Sequence, residues 1–208
     1  TRLPRAIRDV YKRQILLISI FAILVASGIN PHDRFTWVLE VIPAVIGVMV
    51  LITTYNKFVF TNLTYILIWF HAVILIVGGH YTYAEMPLFN WLRDTFDLSR
   101  NYYDRLGHFA QGFVPAIIIR EIFIRNKIVK NIAWTNFITI SICLAISASY
   151  EIIEFIVALI TGESATAFLG TQGDIWDTQW DMIFALLGSM VSVLTVGKYH
   201  ENLLKTKQ

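Results

Sequence analysis

The sequence has little charge for its length. Only 15% of its 208 residues are Asp, Glu, Lys or Arg, and the formal net charge is +2. An average soluble domain has about 25% charged residues, and a nucleic-acid-binding domain carries a clear basic excess. The composition therefore excludes nucleic acid as an expected partner. With 56% hydrophobic residues and a mean hydropathy of +0.58, the chain is typical of an integral membrane protein, whose first partner is the lipid bilayer.

Cysteine is nearly absent. Cys143 is the single cysteine, so an internal disulfide and a cysteine-rich metal site are both excluded. Because it lies within an apolar run, we expect a small buried side chain. Glycine motifs for dinucleotides or phosphates are missing as well, and no serine has the sequence context of a hydrolase nucleophile.

Long apolar runs are what the sequence does have. A helix needs about 20 apolar residues to cross the hydrocarbon core, and six runs reach or approach that length. We predict an all-α fold, a polytopic transmembrane helical bundle of about six spans in one domain over residues 15–197. The predicted spans are 15–29, 37–55, 63–79, 109–124, 132–160 and 182–196.

A shorter pattern lies between the third and fourth spans. Within residues 86–98, Leu88, Trp91, Leu92 and Phe96 recur at helical spacing, opposite charged side chains. This pattern predicts a short interfacial helix lying at the membrane surface.

Both ends of the chain are basic. Residues 1–14 form a basic leader and residues 198–208 a basic tail, so the positive-inside rule predicts that both termini are cytoplasmic. Residues 4–14 also resemble translated adapter sequence, so a native and a non-native leader both stay open. The carboxylates gather on the opposite side of the membrane, which we expect to be the working face.

The segment 101–112 joins polar residues to an apolar span. Asp104 and His108 are four residues apart and Gln111 is three further on. A helix beginning near Asp104 therefore puts all three side chains on one face. We expect this face to be the centre of any functional site.

Two other segments bring carboxylates to the same membrane edge. Glu151 and Glu154 are three residues apart in the fifth span, where the rise of a helix puts Glu151 about 28 Å from the start of the span. Asp174, Asp177 and Asp181 are spaced three and four apart, which predicts a single helical face at the start of the sixth span. We expect a compact bundle to unite these side chains with those of the fourth span.

The carboxylates of such a cluster cannot all be ionised without cations among them, because like charges a few ångströms apart raise each other's pKa. Either several are protonated, or arginines pair with them, or a metal ion binds. Oxygen-rich ligation with an imidazole suits a divalent metal ion such as magnesium, calcium, manganese, iron or zinc. The predicted metal ligands are Asp104, His108, Glu154, Asp174, Asp177 and Asp181. The predicted catalytic residues are Asp104, His108, Glu151, Glu154 and Asp177. The predicted substrate-binding residues are His80, Tyr83, Arg105, Gln111 and Trp176.

A purely structural interpretation stays open beside this one. Aspartates in a first helical turn complement the helix dipole, and Arg100 or Arg105 would pair with the buried glutamates. At the other end of the fourth span, Arg120 and Glu121 are expected to form a solvated pair.

Four segments carry a family resemblance, and they are His80-Tyr-Thr-Tyr-Ala-Glu-Met-Pro87, Arg100-Asn-Tyr-Tyr-Asp-Arg-Leu-Gly-His108-Phe-Ala-Gln-Gly-Phe-Val-Pro115, Ser149-Tyr-Glu-Ile-Ile-Glu154 and Leu169-Gly-Thr-Gln-Gly-Asp-Ile-Trp-Asp177-Thr-Gln-Trp-Asp-Met182. They resemble the YjdF family of bacterial inner-membrane proteins over residues 15–196. The resemblance implies a multi-pass protein of the bacterial inner (plasma) membrane and names no reaction. The order of acidic residues is also similar, more distantly, to the VanZ-like family, in which the corresponding positions would be Asp104, His108, Glu151, Asp174 and Asp177.

Three functions stay open from the sequence. The first is a metal-dependent membrane hydrolase with its site at the periplasmic membrane edge, acting on an amphiphilic envelope lipid or lipid-linked substrate. The second is an ion- or proton-coupled transporter in which Glu151 and Glu154 take up protons or cations. The third is a non-catalytic membrane partner protein, in which the polar cluster only organises the bundle.

Overall fold

The computed structural model describes residues 4–162 and 166–205, and every regular element within them is helical. This confirms the all-α prediction. The elements are α1 (Arg5–Ser27), α2 (Arg34–Thr54), α3 (Asn62–Tyr81), a 3₁₀ turn (Tyr83–Glu85), α4 (Pro87–Phe96), α5 (Tyr103–Arg125), α6 (Ile132–Thr161), α7 (Thr166–Leu169), α8 (Asp177–Thr195) and α9 (Gly197–Lys205).

The number of membrane spans agrees with the prediction of about six. By length and composition α1, α2, α3, α5 and α6 can each cross a membrane. A sixth span is reached when α8 and α9, which meet at a 51° bend, are taken together. The apolar part of α8 is short because its first turns carry Asp177 and Asp181.

Polar side chains determine where three of the spans begin. The Asp33 carboxylate accepts from the backbone N–H of Thr36 at 2.7 Å, just before α2. Thr61 in the same way caps α3, and Asn131 caps α6. Each side chain satisfies a backbone donor that the first helical turn leaves free. The donation from Thr36 is also the largest cause of the lowered pKa of Asp33.

The spans form two groups of three. In the first, Ile20 of α1 packs with Val41 of α2 and Ile76 of α3. In the second, Ala116, Cys143 and Val193 join α5, α6 and α8. The buried thiol of Cys143 confirms the expectation for that residue.

Helices α3 and α5 connect the two groups. The ring of Tyr83 is wedged between them at Gly78 and Gly107. A Cβ at Gly107 would lie 3.0 Å from the Tyr83 ring, and one at Gly78 would overlap it. Only glycine leaves room for the ring at these two positions.

Helices α5 and α8 run in the same direction and touch through their backbones. A Cβ at Gly112 of α5 would meet the carbonyl group of Ala185, and a Cβ at Gly188 of α8 would meet that of Phe109. Small residues permit this close approach between membrane helices. The end of the bundle where α5 and α8 begin, at Tyr103 and Asp177, is called the acidic end below, and the opposite end the basic end.

The outer surface of the bundle is apolar, as a lipid-facing surface must be. Ile18, Phe137 and Leu159 are each more than 60% exposed. The predicted interfacial helix is α4, whose exposed side chains include Trp91 and Phe96. It lies between the ends of α3 and α5, at the acidic end.

The two terminal segments continue the helical structure. Helix α1 begins at Arg5, inside the predicted leader 1–14, and residues 1–3 of that leader lie outside the described residues. The predicted tail forms helix α9 as far as Lys205, with residues 206–208 again outside them. His200 of α9 is fully buried, so this segment packs against the bundle.

Candidate functional site

Two arginines and four aspartates form an ion-pair network at the acidic end, in which Oδ2 of Asp104 lies 3.5 Å from Nη1 of Arg105 and 3.8 Å from Nη2 of Arg100. Arg105 pairs with Asp181 and, through Nη2, with Oδ1 of Asp177 at 2.5 Å. Nη1 of Arg100 donates to the same Asp177 oxygen at 2.5 Å. Asp174 lies 3.4 Å from Nη2 of Arg105 and 3.5 Å from Nη1 of Arg100. The two guanidinium groups therefore join the start of α5 to the start of α8.

Two expectations are corrected by this network. The arginines were expected to pair with buried glutamates, and they pair with aspartates, because α8 and the turn before it lie nearer to them. Asp174 was expected on one helical face with Asp177 and Asp181, but α8 begins only at Asp177. Asp174 instead forms a turn, in which its Oδ1 accepts from the backbone N–H of Trp176 at 2.9 Å.

The imidazole of His108 lies among carboxylates from three helices. Its Nε2 is 3.5 Å from Oδ1 of Asp104, 3.6 Å from Oε1 of Glu151 and 3.7 Å from Oδ1 of Asp181. Its Nδ1 is 3.1 Å from the amide oxygen of Gln111, one turn further along α5. With Nδ1–H donating to Gln111, the lone pair of Nε2 points toward the three carboxylates.

This pocket is buried, and some of its polar atoms have no hydrogen-bond partner in the described residues. His108, Asp104 and Glu151 are each at most 7% exposed. Oδ2 of Asp104 and Oε1 of Glu151 have no hydrogen-bond partner within residues 4–162 and 166–205. Five carboxylates face two guanidinium groups at the acidic end, so additional positive charge, as protons or as a cation, is needed for balance. Asp104, His108 and Asp181 each offer one ligand atom, and these atoms lie within 4.8 Å of one another.

Comparisons with known proteins agree with this architecture. Residues 13–202 match the family model described as "Predicted membrane protein (DUF2238)". The chain belongs to this family. It is also 46% identical over 183 residues to the inner membrane protein YjdF of Escherichia coli (strain K12), with 88% of each chain covered. No solved structure matches. The resemblance to the YjdF family is thus confirmed, and the similarity to VanZ-like proteins stays a prediction.

In this DUF2238 protein, Glu154 is one turn beyond Glu151 on α6 and is partly exposed. It forms no ion pair within 4.0 Å in the described part of the chain. Its roles as a catalytic residue and a metal ligand stay predictions.

The predicted substrate-binding residues are distributed over four places, one of which is the buried position of Tyr83 between α3 and α5. Arg105 and Gln111 belong to the cluster, through the network and through His108. Trp176 is 60% exposed at the start of α8. His80 lies elsewhere, with its Nδ1 2.7 Å from the carbonyl oxygen of Ser27 at the end of α1.

Next to Tyr83 lies a further carboxylate, Glu40, which the sequence prediction did not include in the site. Burial raises the pKa of the Tyr83 hydroxyl well above its usual range, and the neighbouring Glu40 carboxylate raises it further. Glu40 is 4% exposed on α2 and packs against Gly79. The signal in the sequence was an acidic residue inside an apolar span, which usually faces the protein interior.

A second group that the sequence prediction missed holds the loops of the acidic end. The backbone N–H of Asn101 donates to Oε1 of Gln172 at 2.9 Å, and Nε2 of Gln172 donates to the carbonyl oxygen of Asn101 at 2.9 Å. The side chain of Asn101 also donates to Oδ1 of Asn90 at 2.8 Å. These bonds connect the segments before α5 and α8 to helix α4. No local spacing reveals such a contact, because its partners are 71 residues apart.

The predicted solvated pair of Arg120 and Glu121 at the basic end is wrong, because both residues are buried and Arg120 pairs instead with Glu201. Arg120 is 1% exposed and Glu121 is fully buried. Glu121 accepts from the hydroxyl of Thr64 at 2.6 Å, from Nε2 of His200 at 3.1 Å and from Nη1 of Arg125 at 3.1 Å. Helix α9 supplies His200 and Glu201 to this end of α5, which is why Arg120 and Glu121 are not in contact with solvent.

Proposed function

We propose that this protein is a divalent-cation-dependent hydrolase of the bacterial inner membrane that acts on an amphiphilic envelope lipid or lipid-linked substrate. The surroundings of Nε2 of His108 carry the proposal. Three carboxylate oxygens lie 3.5–3.7 Å from this nitrogen. In a tetrahedral site with bonds of about 2.0 Å to the metal, neighbouring ligand atoms are about 3.3 Å apart. The distances from Nε2 of His108 to these oxygens are therefore too long for good hydrogen bonds and close to the distance between two ligand atoms around one ion.

Each residue of the pocket has a role in this proposal. Asp104, His108 and Asp181 supply one ligand atom each, a set that suits zinc, manganese or iron. Gln111 fixes the imidazole tautomer, as outer partners of metal-bound histidines commonly do. A bound ion lowers the pKa of a coordinated water toward about 7. Glu151, whose Oε1 lies 3.6 Å from His108 and has no hydrogen-bond partner within residues 4–162 and 166–205, would hold the proton that such a water gives up.

An amphiphilic substrate is favoured by the surface next to the pocket. Helix α4 presents Trp91 and Phe96, which are 59% and 64% exposed. At the start of α8, Ile175 and Trp176 are 84% and 60% exposed. Tryptophans at this level are typical of the membrane interface. A lipid can therefore lie against these side chains while its polar headgroup reaches the acidic end.

The proposal puts the acidic end in the periplasm. The basic end carries Lys57, Arg125 and Lys127, as the positive-inside rule expects of a cytoplasmic face. To test this, Cys143 is replaced by Ala and one cysteine is introduced as Asp97→Cys or Lys127→Cys. A membrane-impermeant maleimide added to intact spheroplasts should label only the first variant. Labelling of only the second would reverse the orientation.

Metal analysis of the purified protein tests the cation site. The parent should retain a divalent metal after dialysis, and His108→Ala and Asp104→Asn should lose it. His32→Gln and Asp94→Asn are matched controls, because both side chains are exposed at the acidic end, and they should bind as the parent does. Gln111→Leu should weaken binding by about 10–100-fold. A parent without metal, or a His108 variant that keeps it, would refute the site.

The reaction is tested separately. Metal-loaded protein is incubated with inner-membrane polar lipids in isotopically labelled water, and the products are followed by mass spectrometry. A hydrolysis product carrying the label, formed by the parent and not by Glu151→Gln, supports the hydrolase. If the protein binds metal normally and no labelled product forms, the cation site is supported and the proposed hydrolase activity is refuted.

A further inference from the structure

The buried side of α6 is polar along its whole length. Among the 30 residues of this helix, each buried one carries a hydroxyl, a thiol or a carboxylate, and they are Thr135, Thr139, Cys143, Ser147 and Glu151. They are four residues apart, so they form one continuous row. The exposed side of the same helix is apolar, with Phe137 at 62% and Ile153 at 52% exposure. This is the reverse of what simple hydrophobic burial produces in a soluble protein.

The row faces α5 and α8, and two contacts determine its register against α5. Glu151 is 3.6 Å from His108, and Cys143 packs with Ala116 and with Val193 of α8. Both pairs agree with one antiparallel alignment, since eight residues separate them on each helix. Continued by one turn, this alignment puts Thr139 at the level of Arg120. The row thus extends from the pocket at the acidic end to the buried polar cluster at the basic end.

Three buried hydroxyl groups between α6, α5 and α8 have no hydrogen-bond partner among the described residues, whereas Thr135 at the end of the row and the hydroxyls on the lipid side donate to backbone carbonyls. Ser141 and Ser149 of α6 are exposed and donate to the carbonyl oxygen four residues earlier, at 2.9 Å and 2.7 Å. The Oγ atoms of Ser147 and Ser192 and the Oγ1 atom of Thr139 are buried without a hydrogen-bond partner in the described ranges. A buried polar group left unpaired costs about 1–3 kcal/mol. Buried water is the usual partner of such groups.

The spacing of the row fits single water molecules. Four residues of a helix rise about 6 Å, and a water that bridges two oxygens with bonds of about 2.8 Å spans nearly that distance. One water between each pair of neighbouring side chains in the row would therefore complete a continuous chain of hydrogen bonds. Cys143, a weak donor and acceptor, is the weakest link of the chain.

Polar side chains continue the row at both ends. At the acidic end, Oε1 of Glu151 has no hydrogen-bond partner in the described ranges. At the basic end, Nε2 of His200 is hydrogen-bonded to Glu121 at 3.1 Å. Arg120, which precedes Glu121, is buried, and its Nε and Nη1 have no hydrogen-bond partner in the part of the chain that the structure describes. Polar atoms without a partner therefore continue to the end of the row.

We propose that this row is a path for protons between the acidic end and the basic end. Each hydroxyl or water accepts a proton on one side and releases a different one on the other, so the relay consumes nothing. The thiol of Cys143 limits the rate, which keeps the leak across the membrane small. The proposal does not depend on a bound cation, because none of Thr139, Cys143 and Ser147 is a ligand.

Proton flux into proteoliposomes tests the path. The purified protein is reconstituted with a pH-sensitive dye inside, and a potassium diffusion potential set by valinomycin drives protons inward. The parent should acidify the vesicles faster than protein-free vesicles do. Cys143→Ser should raise the rate, since a hydroxyl relays protons better than a thiol, and Cys143→Val should reduce it to that of protein-free vesicles.

Matched variants separate the path from general effects on folding. Thr139→Val keeps the shape of the side chain and should abolish the flux, while Thr139→Ser should keep it. Ser141→Ala, on the lipid side of the same helix, should conduct as the parent does. A parent no faster than protein-free vesicles, or a Thr139→Val variant that conducts normally, would overturn the proposal. The metal content of these variants should equal that of the parent, so that either proposal can fail without the other.

Discussion

The contact between α5 and α8 predicts opposite effects for the same substitution at two glycines. A Cβ at Gly112 would lie 2.6 Å from the carbonyl carbon of Ala185 and closer still to its oxygen. Because these are backbone atoms, they cannot rotate away, and the two helices must separate. Gly47 on α2 has nothing within 4 Å of the same atom, so Gly47→Ala is the matched control.

The magnitudes follow from overpacking and from helix propensity. Forcing a methyl group into a close-packed contact destabilises the fold by about 1–3 kcal/mol. Replacing glycine by alanine in a helix stabilises it by about 0.5–1 kcal/mol. Because the added Cβ would overlap a backbone oxygen, the upper end of the destabilising range applies, and Gly112→Ala should lower the free energy of unfolding by about 2–2.5 kcal/mol. Gly47→Ala should raise it by about 0.5–1 kcal/mol. Separating the helices also moves His108 away from Asp181, so Gly112→Ala should weaken cation binding as well.

Reversible unfolding in mixed micelles, followed by tryptophan fluorescence and circular dichroism, measures both changes. Cation affinity is then measured on the folded variants. The reasoning fails if both alanines shift stability in the same direction. It also fails if Gly112→Ala is destabilised and still binds the cation as tightly as the parent.

Three further predictions concern other parts of the molecule. Glu121→Ala leaves buried donors such as His200 without an acceptor and should cost about 3–5 kcal/mol in the same unfolding assay, so a loss below about 1 kcal/mol, the size of a surface pair, would contradict its burial. Asp33→Ala should cost about 1 kcal/mol at neutral pH through loss of the α2 cap. Because the pKa of Asp33 is lowered in the fold, its contribution is complete above the ordinary pKa and is lost as the pH falls through the lowered value. The parent and the Asp33 variant should therefore converge at low pH, and a constant difference would rule out the ionised cap. Trp91, in a protein whose other tryptophans are replaced by Phe, should be quenched by lipids brominated near the headgroup, and quenching only by an aqueous agent would remove α4 from the interface.

Local properties of the sequence determined most of the fold. The spans were predictable because crossing a bilayer requires a stretch of apolar residues, and each stretch can be found without knowing its neighbours. The starts of α2 and α6 depend on Asp33 and Asn131, which bond to backbone within their own first turn. The shared face of Asp104 and His108 depends only on helical spacing along α5.

Contacts between helices were decided by the tertiary structure. The sequence does not show that Arg105 pairs with Asp181, because 76 residues separate them and their meeting depends on the approach of α5 to α8 at Gly112 and Gly188. The burial of Glu121 likewise depends on α9, which bends back to cover it. Spacing along one helix is a property of the backbone, whereas the partner of a charged group depends on which helices touch and in what register. The sequence therefore determined which side chains share one face of a helix, and only packing determined which faces are buried and which side chains meet.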